Sequence, residues 1–197
     1  MKYIKLIKYL LPLLIACKPA EVTEPTDVSE ESTEISDSDG YSWATWETCG
    51  QKPGENPCNF ALQDQHANTV ELYEHYGKVI ILDFSTMWCS VCHNIATTGD
   101  DFVTDYGEEN VIWLTILIDN TQGNPPSQED LELWVDLFGI ELPVLAGSRD
   151  MLDETATEGY PISSWPTIVV VNKEMLLYNG INGWSETTVR GWVESLL

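Results

Sequence analysis

Lys78-Val-Ile-Ile-Leu-Asp-Phe-Ser-Thr-Met-Trp-Cys-Ser-Val-Cys92 joins an apolar run directly to two cysteines three positions apart. Val79–Leu82 is short and rich in β-branched residues, the pattern of a central strand covered on both faces. The residues after it open a helix, which puts Cys89 near the first turn. There, unpaired N–H groups and the helix dipole favour a thiolate. Cys92 falls one turn deeper on the same face, close enough to bond Cys89. In Cys-x-x-Cys pairs the first thiol can titrate at roughly 3.5–7.5 instead of about 8.5. Cys89 is therefore the expected nucleophile, attacking a partner disulfide, and Cys92 resolves the mixed disulfide. Half a zinc site is the other reading of such a pair, but it wants a second pair, and the wide gap between Cys49 and Cys58 suits it poorly.

Asp83 lies six residues before Cys89 on the same strand. A carboxyl buried beneath the sulfurs would have a raised pKa and would relay the Cys92 proton; the alternative is a strand-end acid that reaches solvent. Trp88 and Trp165 are expected to form an apolar rim around the sulfurs. His93 follows Cys92 directly and should point away from Cys89 into solvent. His66 and His75 lie in polar segments with no catalytic assignment.

Outward from this join, the pattern predicts a strand over 78–84, a helix over 90–106, a strand over 111–118 and a helix over 127–138. A short extended piece at Leu142–Leu145 and a helical turn within Gly147–Gly159 follow. Strands are expected at 167–172 and 175–179, and Ser185 reads as the N-cap of a final amphipathic helix to Leu197. On the amino-terminal side, Phe60-Ala61-Leu62 and Thr69–Leu72 flank the polar turn Asp64–Asn68, which suggests a small hairpin, and Leu72–Tyr76 suggests a brief helix. Alternating β and α segments with short links give an α/β sheet covered on both faces.

The first sixteen residues carry Lys2, Lys5 and Lys8 ahead of the apolar run Leu10–Ala16. That is the form of a secretory leader. Leu14-Ile15-Ala16-Cys17 resembles the lipobox of bacterial lipoproteins, in which cleavage leaves a lipidated Cys17 anchored in the bilayer. Lys18 is not the Asp that often retains lipoproteins at the inner membrane, so the outer membrane is preferred. Residues 18–40 hold eight acids and almost no large apolar side chain; such a segment cannot bury enough to fold and should act as an extended tether. The expected organisation is a signal peptide at 1–16, a lipidated Cys and acidic tether at 17–45, and one folded domain at 46–197. Cys49 and Cys58, in an oxidising compartment and a short loop, are expected to form a structural disulfide, with a second redox pair as the alternative.

The 197-residue chain has 32 acidic and nine basic residues, a formal charge of −23. Loss of the three leader lysines would leave a charge of −26. Nucleic-acid binding needs clustered Lys and Arg and is excluded, as is docking on anionic lipid through a basic face.

Asp83, Phe84, Trp88, Cys89 and Cys92 together resemble the active site of the thioredoxin superfamily, strand–Asp-Phe-x3-Trp-Cys-x-x-Cys–helix. Ser164-Trp165-Pro166-Thr167, followed by the apolar run Ile168–Val171, is similar to that family's cis-proline element facing the cysteine pair. The likeness covers about residues 60–197, and the leader and amino-terminal hairpin point to the TlpA-like group. The resemblance implies a thioredoxin-like fold: a central mixed β-sheet flanked by helices, with an amino-terminal β-hairpin extension. It implies Pro166 in the catalytic set with Cys89, Cys92 and Asp83, and Trp88, Trp165 and Thr167 as substrate-binding residues. It further implies a thiol–disulfide oxidoreductase in the periplasm that needs no cofactor and no metal. Its partners would be disulfides or thiols of exported proteins and a membrane redox-recycling protein. The peroxidase pattern Pro-x3-Thr-x2-Cys is absent, and copper-delivery relatives use Cys-x3-Cys where this chain has Cys-x2-Cys. The alternative is a thioredoxin-fold binding module that holds a metal or a client without turnover.

Overall fold

The computed structural model describes residues 40–152 and 159–197. In chain order these form β1 (Ala61–Gln63), β2 (Thr69–Glu71), β3 (Val79–Thr86), α1 (Ser90–Ile95), α2 (Thr98–Tyr106), β4 (Val111–Asp119), α3 (Gln128–Phe138), β5 (Val144–Ala146), β6 (Thr167–Val171), β7 (Leu177–Asn182) and α4 (Glu186–Leu196). Tyr41–Leu197 make one compact unit. The leader, Cys17 and nearly all of the tether lie outside the described residues.

Five strands form one mixed sheet in the order β5-β4-β3-β6-β7. β3 runs parallel to β4 and antiparallel to β6, and it is buried at all eight positions. This is where its continuous apolar run belongs, since a strand with helices on one side and loops on the other shows no polar face. The parallel β3–β4 crossover needs a long connection, supplied by α1 and α2. On one face, Val79, Ile81, Phe102, Trp113, Val189 and Val193 join the sheet to α2 and α4. On the other, Ile80, Leu82, Phe84, Leu114 and Ile116 pack beneath the amino-terminal segment and residues 160–162. Tyr41 and Trp43, on the tether side of residue 46, pack against this second face with Trp46, and the Trp43 ring stacks on Tyr76 at 4.1 Å.

The expected hairpin is β1–β2, paired Ala61 to Glu71. The Asp64 carboxylate closes its turn by accepting the His66 and Asn68 backbone N–H groups, as Asx turns do. Gln65, buried at the hairpin tip, donates to the Leu142 carbonyl and accepts from the Val144 N–H. Both of its amide atoms thus tie the hairpin to the start of β5.

Two elements differ from expectation. The helix expected over 90–106 is broken between Ile95 and Thr98. Two β-branched threonines at the junction weaken helix propagation. Gly99 then lets α2 press onto Trp113, where a Cβ would come within 2.7 Å of the indole. The last strand spans 177–182 rather than 175–179. Asn172 holds a tight turn by accepting the Glu174 and Leu176 N–H groups through its side chain. Met175, fully buried, occupies that turn with φ 58°.

Candidate active site

β3 ends at Thr86, and the chain enters α1 through Met87 and Trp88 with Cys89 as the N-cap. A β-region N-cap leaves its side chain beside the free N–H groups of the first turn. Here the Cys89 sulfur accepts the Cys92 N–H at 3.3 Å. The Cys89 N–H is itself bonded to the Thr86 carbonyl, and the Met87 N–H to that of Asp119. Both cysteines are free thiols. Cys89 keeps 7% of its surface open to solvent, whereas Cys92 keeps none. The first thiol can be reached from outside and the second is enclosed.

Burial pushes the Cys92 thiol up to about 12, helped by the Cys89 contact and by the negative charge of Asp83; the Thr86 N–H and the Ser85 hydroxyl act the other way. Asp83 is 1% exposed. Burial raises its carboxyl to about 7, against the opposing hydrogen bonds of Ser85, Thr115 and Trp113. Ser85 Oγ donates to Asp83 Oδ1 at 2.6 Å, and Thr115 Oγ1 lies 3.4 Å from Oδ2. Thr115 stands opposite Asp83 in the β3–β4 register and accepts the Trp113 indole N–H at 3.2 Å.

The Trp165–Pro166 peptide bond is cis, and Pro166 is buried. β6 begins at once with Thr167, paired to Phe84 on β3, so the proline lies at the same end of the sheet as Cys89. Trp165 packs against the cluster that contains Met87, Cys89 and Cys92. Trp88, 49% exposed, stands on the open side. Beside Thr167, a cavity of about 180 Å³ is lined by Ile162, Val169, Ile181, Asn182 and Gln51 among others. The structure thus brings Cys89, Cys92, Asp83 and Trp165 together and sets Pro166 at the same end of the sheet.

His93 is exposed but not free: Nε2 lies 2.7 Å from the Met87 carbonyl, and the ring packs against Trp134 and Phe138 of α3. His66 lies in the hairpin turn, and His75 in a short 3-10 turn at Leu72–His75. Burial, then Lys78, depresses the His75 imidazole to about 4.

Cys49 and Cys58 form a disulfide. Cys58 Sγ accepts the Gly159 N–H, and the Cys58 carbonyl accepts the Tyr160 hydroxyl. Within the closed loop, the Gly54 N–H and the Glu55 carbonyl pair with Leu177 at the start of β7. The loop therefore stitches the amino-terminal segment to the outer strand.

Sequence reasoning missed two parts of this site. Asp119, fully buried at the end of β4, receives both Nε and Nη2 of Arg149 and the Trp88 indole N–H at 3.3 Å. The residue next to Cys89 is thereby held by a carboxylate thirty-one positions away. The available signal was an acid closing an apolar strand at the carboxyl end of a parallel pair, where ligand crevices form; for Arg149 there was none. The other omission is Ser85, two residues beyond Asp83 and so on the same face of β3.

A family model described as the AhpC/TSA family matches residues 53–178. The chain is 24% identical over 124 residues to the thiol-disulfide oxidoreductase ResA of Halalkalibacterium halodurans, covering 62% of this chain and 64% of that one. It is 19% identical over 141 residues to the thioredoxin-like protein YneN of Bacillus subtilis, covering 68% and 78%. Among solved structures, it is similar to the exposed lipoprotein thioredoxin Etrx1 of Streptococcus pneumoniae, with 27% identity, a TM-score of 0.59, and coverage of 71% of this chain and 100% of that one. It also shares its fold with a thioredoxin-family thiol:disulfide interchange protein of Chlorobium tepidum, at 16% identity, a TM-score of 0.58, and coverage of 74% and 97%. The matched family segment contains the cysteine pair, Asp83 and the cis-proline, and the chain belongs to the AhpC/TSA family as a redoxin of the thioredoxin superfamily.

Proposed function

We propose that this protein is a thiol–disulfide oxidoreductase that works through Cys89 and Cys92. The observation that carries the reading is the asymmetry of the pair: a reachable sulfur on a helix N-cap, backed by an enclosed thiol next to a buried carboxyl. Cys89 attacks a client disulfide and forms a mixed disulfide. Cys92 then attacks Cys89, the client leaves reduced, and the Cys89–Cys92 bond remains. Asp83 takes the Cys92 proton during that second step. Trp88, Trp165, Thr167 and Pro166 form the surface that receives the client's chain.

The domain acts outside the cytoplasm, on disulfides or thiols of exported proteins, and a membrane redox protein recycles it. Support comes from the leader and lipobox and from two relatives, one named ResA and one an exposed lipoprotein thioredoxin. Cys17 carries the lipid, residues 18–40 act as the tether, and the outer membrane is the preferred site. Cys49–Cys58 serves as a structural staple.

The test uses the full chain and a disulfide-bonded protein substrate. A thiol label read by mass spectrometry should show a Cys89–Cys92 bond that opens and closes with a dithiol. Cys92→Ala should trap mixed disulfides. Disulfide reduction that survives in Cys89→Ser would sink the assignment. Client capture without any redox cycling would favour a binding module instead. For metal capture, no group of three His, Cys, Asp or Glu converges among the described residues.

A further inference from the structure

β6 is buried at four of its five positions, and Val169 at its centre is the exception. Gly180 stands opposite Val169 on β7. The two positions share a face of the sheet, and the glycine brings no side chain to close the gap. A Cβ there would meet, among the described residues, only Ile168 O at 3.3 Å and Val169 Cγ2 at 3.7 Å. The space above this pair is the cavity of about 180 Å³ beside Thr167.

The walls of this cavity are held in place. Tyr160 and Ile162, both 4% exposed, form one wall from the segment that leads to Pro166. Gln51 and Pro53 form another from the disulfide loop. Gln51 Nε2 donates to the Gly159 carbonyl at 3.1 Å, and the Gly54 N–H to that of Leu177 at 2.7 Å. Asn182, opposite Thr167 in register, stands at the end nearest Pro166. Among the described residues no acidic or basic side chain lines the cavity, although the chain has 32 acids and nine bases. A charge moved into such a place gives up its water without a partner, whereas an apolar side chain gains from burial. A protein cavity of roughly 150 Å³ accommodates a benzene ring, so one branched side chain fits here.

We infer that this cavity is a specificity subsite that takes one aliphatic side chain of the client, a reading that rests on the dithiol exchange proposed above. Val169 lies three residues beyond Pro166, about 10 Å along β6. A client extended from Cys89 past the cis-proline therefore sets a residue about three to five positions from its reacting cysteine in the cavity. Walls that are already formed spare the complex part of the ordering that binding costs. The subsite holds the disulfide at Cys89 and leaves the exchange itself unchanged. The dithiol gives up two electrons and two protons, the client disulfide becomes two thiols, and the Cys89–Cys92 bond forms.

The probes are symmetric disulfide dimers of a short capped Gly/Ser peptide with one central cysteine, so that attack on either sulfur is equivalent. One residue, stepped outward from the cysteine on either side, is Ile, Asp or Gly. The full chain is reduced first, and second-order rate constants for peptide reduction are read by chromatography of quenched samples. At one position in the expected range, Ile should react about tenfold faster than Gly, roughly the worth of half-burying an aliphatic side chain. Asp should react no faster than Gly. Val169→Phe and Gly180→Leu each fill the cavity, and in both the Ile-to-Gly ratio should fall to near one. The ratio is read within one variant, so a loss of folded protein cancels from it. Peptides reduced without an Ile preference at any position overturn the subsite and leave the exchange reading standing. An Ile preference that survives in either filled variant overturns it too, since the apolar contact would then lie elsewhere. So does Asp reacting as fast as Ile. If the wild type reduces neither these peptides nor oxidised glutathione, the exchange reading fails and the subsite with it.

Discussion

Asp83 holds its proton to about pH 7 in the folded chain, while the same carboxyl gives it up near 3.8 once the chain unfolds. Below pH 4 both states are protonated and the difference costs nothing. Between pH 4 and 7 the unfolded state sheds a proton that the folded state keeps, so stability falls as pH rises, levelling above 7. About three pKa units correspond to roughly 4 kcal/mol at the plateau. Asp83→Asn is expected to raise stability by a margin that grows from pH 4 to 7, measured by urea unfolding across that range. A constant margin would mean that the carboxyl titrates normally in the fold. Cys89, Cys92 and Asp83 were legible because strand, junction and helix follow one another within fifteen residues. Asp119 and Arg149 were not, because their meeting with Trp88 depends on which strands pair and where β4 stops. Ser85 was visible by period, yet nothing local says that a strand serine will be sealed from water with its hydroxyl on the Asp83 carboxyl.

The disulfide loop shows how an element outside the main sheet can stabilise it. Ten residues from Cys49 to Cys58 bring two backbone hydrogen bonds to Leu177 and two more contacts to Gly159 and Tyr160. Closing a loop of that size removes about 2–3 kcal/mol of freedom from the unfolded chain. The double substitution Cys49→Ser with Cys58→Ser should lower unfolding stability by about that amount while leaving Cys89 alkylation unchanged. Loss of Cys89 reactivity in that variant would place the loop in the site itself. At this scale the apolar runs of β3, β4 and β6 announce their elements plainly. The interruption after α1 was hidden, because it depends on Trp113 pressing against Gly99 from another strand. The start of β7 was hidden as well, since an apolar Met175 looks like strand while its backbone turns.

Across the whole molecule, 32 acidic groups face nine basic ones. Both described arginines are already engaged, Arg149 by Asp119 and Arg190 by Asp105 and Glu186. The remaining acids repel one another through solvent, and folding draws them together. Added sodium chloride screens this repulsion within about 10 Å at 0.1 M. The melting temperature should therefore rise between low and moderate salt, as read by differential scanning calorimetry, and a falling value would show that ion pairs outweigh repulsion. The α/β class and sheet were legible as a whole because strands and helices alternate with short links. The placement of the amino-terminal aromatic residues was not, because Trp43 and Trp46 find Tyr73 and Tyr76 only after the hairpin folds back.

β3 is bonded along its length on both sides, to β4 and to β6. Amides in such a strand exchange with deuterium only through the largest opening of the molecule. The cysteine pair hangs from the end of that strand rather than from a fraying border. Opening of α4 or of the β1–β2 hairpin can therefore come and go without disturbing the sulfurs, and the dithiol keeps its arrangement for as long as the molecule keeps its fold.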